Sequence, residues 1–315
     1  MSLHTVSAVD NWLWSAFIGV VLFLLFLDLF VLHKKNEVMS QKQALGWSAF
    51  WISLSLMFTA WFTYQYGTAL GTQFLTGYLV EQSLSIDNLF VILLIFQSLK
   101  IPQANQHRVL FWGILGAIVF RGILIVIGVD LIHRFDWLMY VFGGILIVTG
   151  AKLFFGSDES HDVNDSFAVR IARKFLPLTK KFHGDHFWAR ENGVLVATPL
   201  FLALIVIELS DIIFAVDSIP AVLAITNDAF VAFGSNILAI LGLRSLYFVI
   251  AEWVSKLKYL KPGLAVILCF IGCKMLVSNF YHVPSWVSLL VIIGVLTTAG
   301  LTSWYVARQE ERKSK

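Results

Sequence analysis

Five carboxylates stand in two short stretches that are otherwise apolar. "YLVEQSLSIDNLFVIL" (78–93) carries Glu81 and Asp87, and "VIELSDIIFAVDSIPAV" (206–222) carries Glu208, Asp211 and Asp217. Ser83, Ser85, Asn88, Ser210 and Ser218 lie beside them. Carboxylate, amide and hydroxyl oxygens are hard ligands, and a set of about six suits Mn²⁺, Mg²⁺ or Ca²⁺. No His or Cys adjoins the acids in sequence, which disfavours zinc, copper or iron. Crowded acids also hold protons more readily, so the same groups suit proton–cation exchange.

Helical spacing sorts these residues. Glu81, Ser85 and Asn88 share one stripe, Glu208 and Asp211 share another, and Asp211 aligns with Ser218. In a straight helix Asp87 and Asp217 point about 120° away from the first acid of their stretch. Pro220 cannot donate to the carbonyl of Val216, so a kink or break near Asp217 is expected to turn that carboxylate inward. Two bases, Arg121 and Arg244, are equally isolated in apolar surroundings. Each is read either as a structural ion pair or as a group that takes over an acid when the metal leaves.

These groups need elements to hold them, and composition says which. Of the 315 residues 58% are hydrophobic and 14% charged, against about 25% charged in a soluble domain. Nine apolar windows are long enough to span a bilayer: about 12–32, 45–65, 72–97, 109–129, 136–155, 194–223, 229–250, 262–280 and 284–306. None alternates as barrel strands do, so the expected fold is an all-α polytopic membrane protein. A carboxylate at the bilayer centre costs roughly 2.5–3.5 kcal/mol. Each large apolar residue returns only about 0.3–0.6 kcal/mol. Acids placed at such cost are expected to have a use.

The first window lacks a basic flank and a small-residue cleavage site and is read as a retained helix. Asp28, near its inner end, either snorkels to the interface or joins the ion path. Cys269 and Cys273, four apart in the eighth window, are read as buried packing residues, with a soft-metal pair as the alternative. Arg121, Arg244 and Lys274 fall inside windows. Nearly all other Lys and Arg fall in loops on one side, with Arg134 alone on the other. The positive-inside rule then places the N-terminus outside and the C-terminus in the cytoplasm.

A repeat runs through the middle of the chain. "EQSLSIDN" (81–88) parallels "DIIFAVDS" (211–218), "GILGAIVFR" ending at Arg121 parallels "NILAILGLR" ending at Arg244, and "GILIVTGAK" ending at Lys152 parallels "VILCFIGCK" ending at Lys274. Repeat one covers about 72–155 and repeat two about 194–280, flanked by 12–32, 45–65 and 284–306. Three spans per unit is an odd number, so the second unit enters from the opposite face. Such inverted repeats build many secondary transporters, with the substrate site near the midplane. Between them, 156–193 is expected to be a cytoplasmic loop. Within it "FAVRIARKFLPLTKKF" (167–182) reads as a helix on the membrane surface. "HGDHFW" (183–188) is a solvated loop or a regulatory metal site through His183, Asp185 and His186. No phosphate loop, catalytic triad or nucleotide fingerprint is present, so neither an enzyme nor a nucleic-acid partner is expected, and no prosthetic group. The partners expected are a divalent cation, protons and membrane lipid.

The chain resembles the TerC/Alx family of integral membrane proteins from about residue 20 to 305. The resemblance rests on "FLTGYLVEQSLSIDNLFV" (74–91), "LGAIVFRGILI" (115–125), "FDWLMYVFGGILIVTGAK" (135–152), "ATPLFLALIVIELSDIIFAVDSIPA" (197–221) and "SNILAILGLRSLYF" (235–248). It implies nine spans, kinship with the lysine-exporter superfamily, and export of manganese from the bacterial cytoplasm across the inner membrane. It also implies that Glu81, Asp87, Glu208, Asp211 and Asp217 serve transport. The expected metal set is these five with Asn88 and Ser218, and the expected ion-pair or gating residues are Arg121 and Arg244. A non-transporting membrane scaffold or a cation channel is the alternative.

Overall fold

A computed structural model describes residues 9–30, 40–135, 137–155, 177–179, 181–191, 193–253, 259–277 and 283–313. The side chains of Asp28, Asp87 and Asp217 lie outside the described ones, although their helices are described. Among the described residues ten helices and one hairpin follow in order: α1 (Asn11–Phe30), α2 (Gln41–Tyr66), α3 (Thr68–Ser98), α4 (Gln103–Arg134), α5 (Leu138–Phe155), β1 (Trp188–Glu191), β2 (Val194–Ala197), α6 (Pro199–Leu223), α7 (Ala229–Leu241), α8 (Leu243–Trp253), α9 (Leu260–Val277) and α10 (Ser285–Lys313).

Local chemistry sets the boundaries. Ser40 caps α2 in a reciprocal box with Gln43. Gly67, at φ +88°, separates α2 from α3 in a conformation that favours glycine. Pro199 takes the first turn of α6, where its missing N–H has no role. Asp228 caps α7 by accepting from Phe230 N at 2.8 Å and Val231 N at 3.0 Å.

Every expected apolar window coincides with a helix or with a pair of helices. Among the described residues five helices are long and apolar enough to cross a membrane, and α7 with α8 makes a sixth crossing if the pair is one span. The described apolar stretches of α1, α5 and α9 are Asn11–Leu27, Leu138–Lys152 and Pro262–Val277. The molecule is thus an all-α membrane protein with five to six candidate spans among the described residues. The seventh window is not one helix: α7 and α8 meet at Gly242 with a bend of 46°. The sixth window starts too early, because 194–197 is a strand paired with 188–191. Helix α6 runs unbroken past Asp217 and ends one turn after Pro220, where Ala224 N donates to the proline carbonyl at 2.9 Å. The expected break near Asp217 is therefore not found. A proline so close to the end of its helix has little helix left to deflect.

Helix α3 packs most extensively against α7, α4 against α6, and α5 against α9. The last pair is close because it is made of small residues: a Cβ on Gly272 would lie 2.7 Å from the Gly143 carbonyl oxygen. An aromatic cluster of Phe17, Phe58, Phe62, Phe74 and Phe230 joins α1, α2, α3 and α7. Large apolar side chains on α1, α2, α4 and α10 face outward, Phe23, Met57, Ile123 and Leu290 among them, as lipid-facing surfaces require. Cys269 is half-buried and Cys273 exposed, so the second is not the core residue expected. Of the expected surface helix, Pro177–Thr179 is extended and bridges to Ala197, and 167–176 lies outside the described residues.

Candidate functional site

Three helices bring opposite charges together inside the bundle. Arg121 on α4 is 1% exposed, Glu81 on α3 is fully buried, and the Asp211 side chain on α6 is 15% exposed. The guanidinium holds Asp211 with two parallel bonds, Nε to Oδ2 at 2.9 Å and Nη2 to Oδ1 at 2.5 Å. Its Nη1 donates to Glu81 Oε1. This fork geometry is what arginine provides and lysine does not. It answers to burial: a lone charge there would be strongly destabilising, and a pair or triad is the usual remedy.

The clamp leaves polar atoms over. Glu81 Oε2, Ser85 Oγ, Glu208 Oε2 and Ser218 Oγ are buried and accept or donate no hydrogen bond in the structure. All four belong to the acid-bearing helices α3 and α6. Ser83 and Ser210 differ, since each donates to the carbonyl four residues back, at 2.6 and 2.7 Å. Beside the clamp is a cavity of about 40 Å³, where one water needs about 10–15 Å³. Asn88, Ser210 and Asp211 supply its polar lining, with Gly113, Ala117 and Leu243 among the apolar ones.

Glycines make the space. A Cβ on Gly116 would fall on the Glu208 carboxyl, so only glycine lets α4 pass that close to α6. Gly113 is less constrained, since a Cβ there would lie 3.4 Å from Ile207 Cγ2, at ordinary contact distance. The sequence carries a signal for this face, small residues at 113, 116 and 117 ending at Arg121, and the reading by acids alone passes over it. Asn236 on α7 is another residue missed: it is fully buried and neither side-chain atom has a hydrogen bond.

The structure thus joins Glu81, Asp211 and Arg121 directly and puts Asn88 and Asp211 on one cavity. Glu208 lies against α4 at Gly116, and Ser218 is buried two turns along α6 from Asp211. Asp87 and Asp217 sit on α3 and α6 next to Asn88 and Ser218, and their side chains lie outside the described ones. Arg244 is buried at the start of α8. Among the described residues no group of three or more His, Cys, Asp or Glu is placed to hold a metal ion.

A separate polar assembly lies where α4 and α6 begin. Arg108 Nη1 donates to Asp185 Oδ2 at 2.5 Å, Asn105 Nδ2 donates to the Gly184 carbonyl at 3.0 Å, and the Arg108 guanidinium lies 5.2 Å from the Phe187 ring centre. Partial burial pushes the Asp185 carboxyl up, but the Arg108 guanidinium outweighs it and holds the group below the ordinary carboxylate range. His183 Nε2 meets Glu191 Oε1 at 3.0 Å, and Thr179 Oγ1 donates to the same oxygen at 2.8 Å. The His183 contact, then the Thr179 hydroxyl, hold Glu191 low. His183, Asp185 and His186 are therefore dispersed: His183 faces Glu191, Asp185 faces Arg108, and His186 Nε2 is 4.0 Å from Asp185 Oδ1. A three-ligand metal site does not form there.

The sequence from 66 to 311 matches the model of the integral membrane protein TerC family. The chain belongs to the TerC family. Similar proteins cover it almost end to end. An uncharacterized membrane protein of Myxococcus xanthus, STKORF319, is 50% identical over 94% of this chain and 93% of its own. The Alx proteins of Salmonella typhi and Escherichia coli K12, named as candidate membrane-bound redox modulators, are each 45% identical over 96% of this chain. They are matched over 96% and 97% of their own lengths. No solved structure matches.

Proposed function

We propose that this TerC-family protein is a secondary transporter that exports a divalent cation, Mn²⁺ first, from the bacterial cytoplasm in exchange for protons. The observation that carries the reading is the buried Arg121 clamp on Glu81 and Asp211, beside a cavity that Asn88, Ser210 and Asp211 line. Buried polar atoms ordinarily have partners, and the oxygens left without one along α3 and α6, on Glu81, Ser85, Glu208 and Ser218, ask for water or an ion. Glu81, Asp87, Asn88, Glu208, Asp211, Asp217 and Ser218 are the proposed cation ligands, in changing subsets. Oxygen-only donors favour Mn²⁺, Mg²⁺ or Ca²⁺ over softer metals.

The pairing of helices supports an inverted repeat. If α3, α4, α5 correspond to α6, α7–α8, α9, the contacts α3 with α7 and α4 with α6 are equivalent, and α5 with α9 is self-equivalent. A pseudo-two-fold axis produces that pattern, and transporters bind substrate where such repeats meet. The bend at Gly242 adds a discontinuous helix close to the cavity, which Leu243 lines. By the positive-inside rule the N-terminus is outside and the hairpin and C-terminus face the cytoplasm of an inner membrane.

Mn²⁺ flux into proteoliposomes tests this, with an imposed pH gradient and a panel of divalent cations. Flux that rises with the gradient and is abolished by Glu81→Gln or Asp211→Asn is expected. Equal flux in wild type and both variants sinks the site. Flux indifferent to the gradient favours a channel, and none under any condition favours a scaffold. The name of the Alx relatives suggests a redox role instead, and the free thiols of Cys269 and Cys273 on α9 are where it would reside. Cys269 faces α5, with Sγ 3.9 Å from the Ile147 carbonyl. The transport reading predicts unchanged flux after replacement of both cysteines.

A further inference from the structure

We infer that the Arg121 guanidinium is the resident cation of the site, and that it and a divalent cation hold the Glu81 and Asp211 carboxylates alternately. The inference rests on the transport reading above and specifies how the empty site is kept. Arg121 spends three N–H groups on two acids from different helices. Those acids are the corresponding first acids of "EQSLSIDN" and "DIIFAVDS". It therefore sits between the two repeats, on the oxygens a shared ion would need.

Both Asp211 oxygens accept from the fork, so while Arg121 stays the carboxylate that lines the cavity is already engaged by a cation. The guanidinium does not exhaust the site, however. Glu81 Oε2 has no partner, and neither has the fully buried Ser85 hydroxyl one turn along α3. One positive charge also faces two negative ones. A dication next to an unmoved guanidinium would be repelled by it in dry surroundings, where charges interact strongly. Arginine cannot relieve this by losing a proton. It has to swing away, which its long side chain allows, and the acids then close on the ion. On release it returns, so the empty carrier never holds two bare carboxylates in a low dielectric, a costly state. Arg121 is a positioning residue in this scheme: it decides when the acids are available.

The test is direct Mn²⁺ binding to purified full-length protein in lipid nanodiscs, with thermal unfolding followed in parallel. Arg121→Gln removes the competitor and leaves the acids unpaired. It should bind Mn²⁺ about tenfold or more tightly than wild type, yet transport it slowly because release is no longer assisted. Mn²⁺ should also raise the unfolding temperature of Arg121→Gln far more than that of wild type, since the ion replaces the missing charge. Arg121→Lys keeps the charge but not the fork and should fall between the two. If Arg121→Gln cannot be recovered folded, Arg121→Lys against wild type decides: tighter binding supports the competition, and equal or weaker binding overturns it. Equal or weaker Mn²⁺ binding by Arg121→Gln overturns it likewise. Absence of saturable binding in wild type and variants alike overturns the transport reading itself, and this inference with it.

Discussion

At the scale of single residues, Gly116 of α4 leaves no room for a side chain beside the Glu208 carboxyl. Gly116→Ala places a methyl group on the Glu208 carboxyl. Overpacking of this kind typically costs about 1–3 kcal/mol. Reduced unfolding temperature and flux are therefore expected of Gly116→Ala, and the shorter acid of Gly116→Ala/Glu208→Asp should recover the unfolding temperature. Failure of the double variant to recover it would mean the methyl group clashes elsewhere. The acids themselves were legible in the sequence, because an ionised group inside an apolar run has no bland explanation that five copies would satisfy. Arg121 was legible too, as an ion-pair residue, but which acids it pairs with was not. That Arg121 bridges Glu81 and Asp211 depends on how α3, α4 and α6 cross, and residues 40 and 90 positions apart give no periodic signal. Gly116 was hidden for the same reason, since its use lies wholly in the neighbour it admits.

Among the elements, the hairpin between the two halves is the one the sequence reading lost. Glu191 and Val194 pair across Asn192-Gly193, a dipeptide typical of two-residue hairpin turns. An apolar window drawn from 194 hid it, because "VLVATPLFLALIV" is hydrophobic throughout and strand and helix differ there only in the proline at 199. The hairpin ties the start of α6 to the start of α4 through Arg108 and Asp185. Both partners are well exposed, so the pair contributes no more than about 0–1 kcal/mol. Its pH dependence has a definite sign. Asp185 and Glu191 are held low in the folded state, so their contribution is complete above the ordinary carboxylate range and fades as pH falls through their lowered values. Amide hydrogen exchange of 177–198 should accordingly be flat through neutral pH, after correction for intrinsic rates, and quicken only in acid. Asp185→Asn should give the quicker exchange at neutral pH. A hairpin equally protected in that variant would show that Thr198, through its bonds to Phe187 and His186, does the anchoring alone.

For the whole molecule the question is how many of the helices cross the bilayer. Among the described residues five are long and apolar enough to span it, and α7 with α8 makes a sixth crossing if the bent pair is one span. Composition showed where the apolar segments lie, yet it could not show which of them the packing bends. The bend at Gly242 belongs to contacts that surround it: a Cβ there would lie 3.3 Å from Trp51 of α2. Helices α5 and α9 pack on each other through Gly143, Gly150 and Gly272, so each covers the other's backbone. If all nine segments cross, the count is odd and the two ends of the chain lie on opposite faces. The basic loops then put the hairpin with the C-terminus. A cysteine-free variant with one thiol restored decides it in intact cells. Asp10→Cys, just before α1, should react with a membrane-impermeant maleimide from outside. Asp185→Cys in the hairpin should react only after the cells are opened. Labelling of both positions from outside would require an even number of crossings between residues 10 and 185. The five segments α1 to α5 would then no longer all cross, α3, α4 and α5 could not be an odd unit preceded by two spans, and the inverted repeat would fall with them.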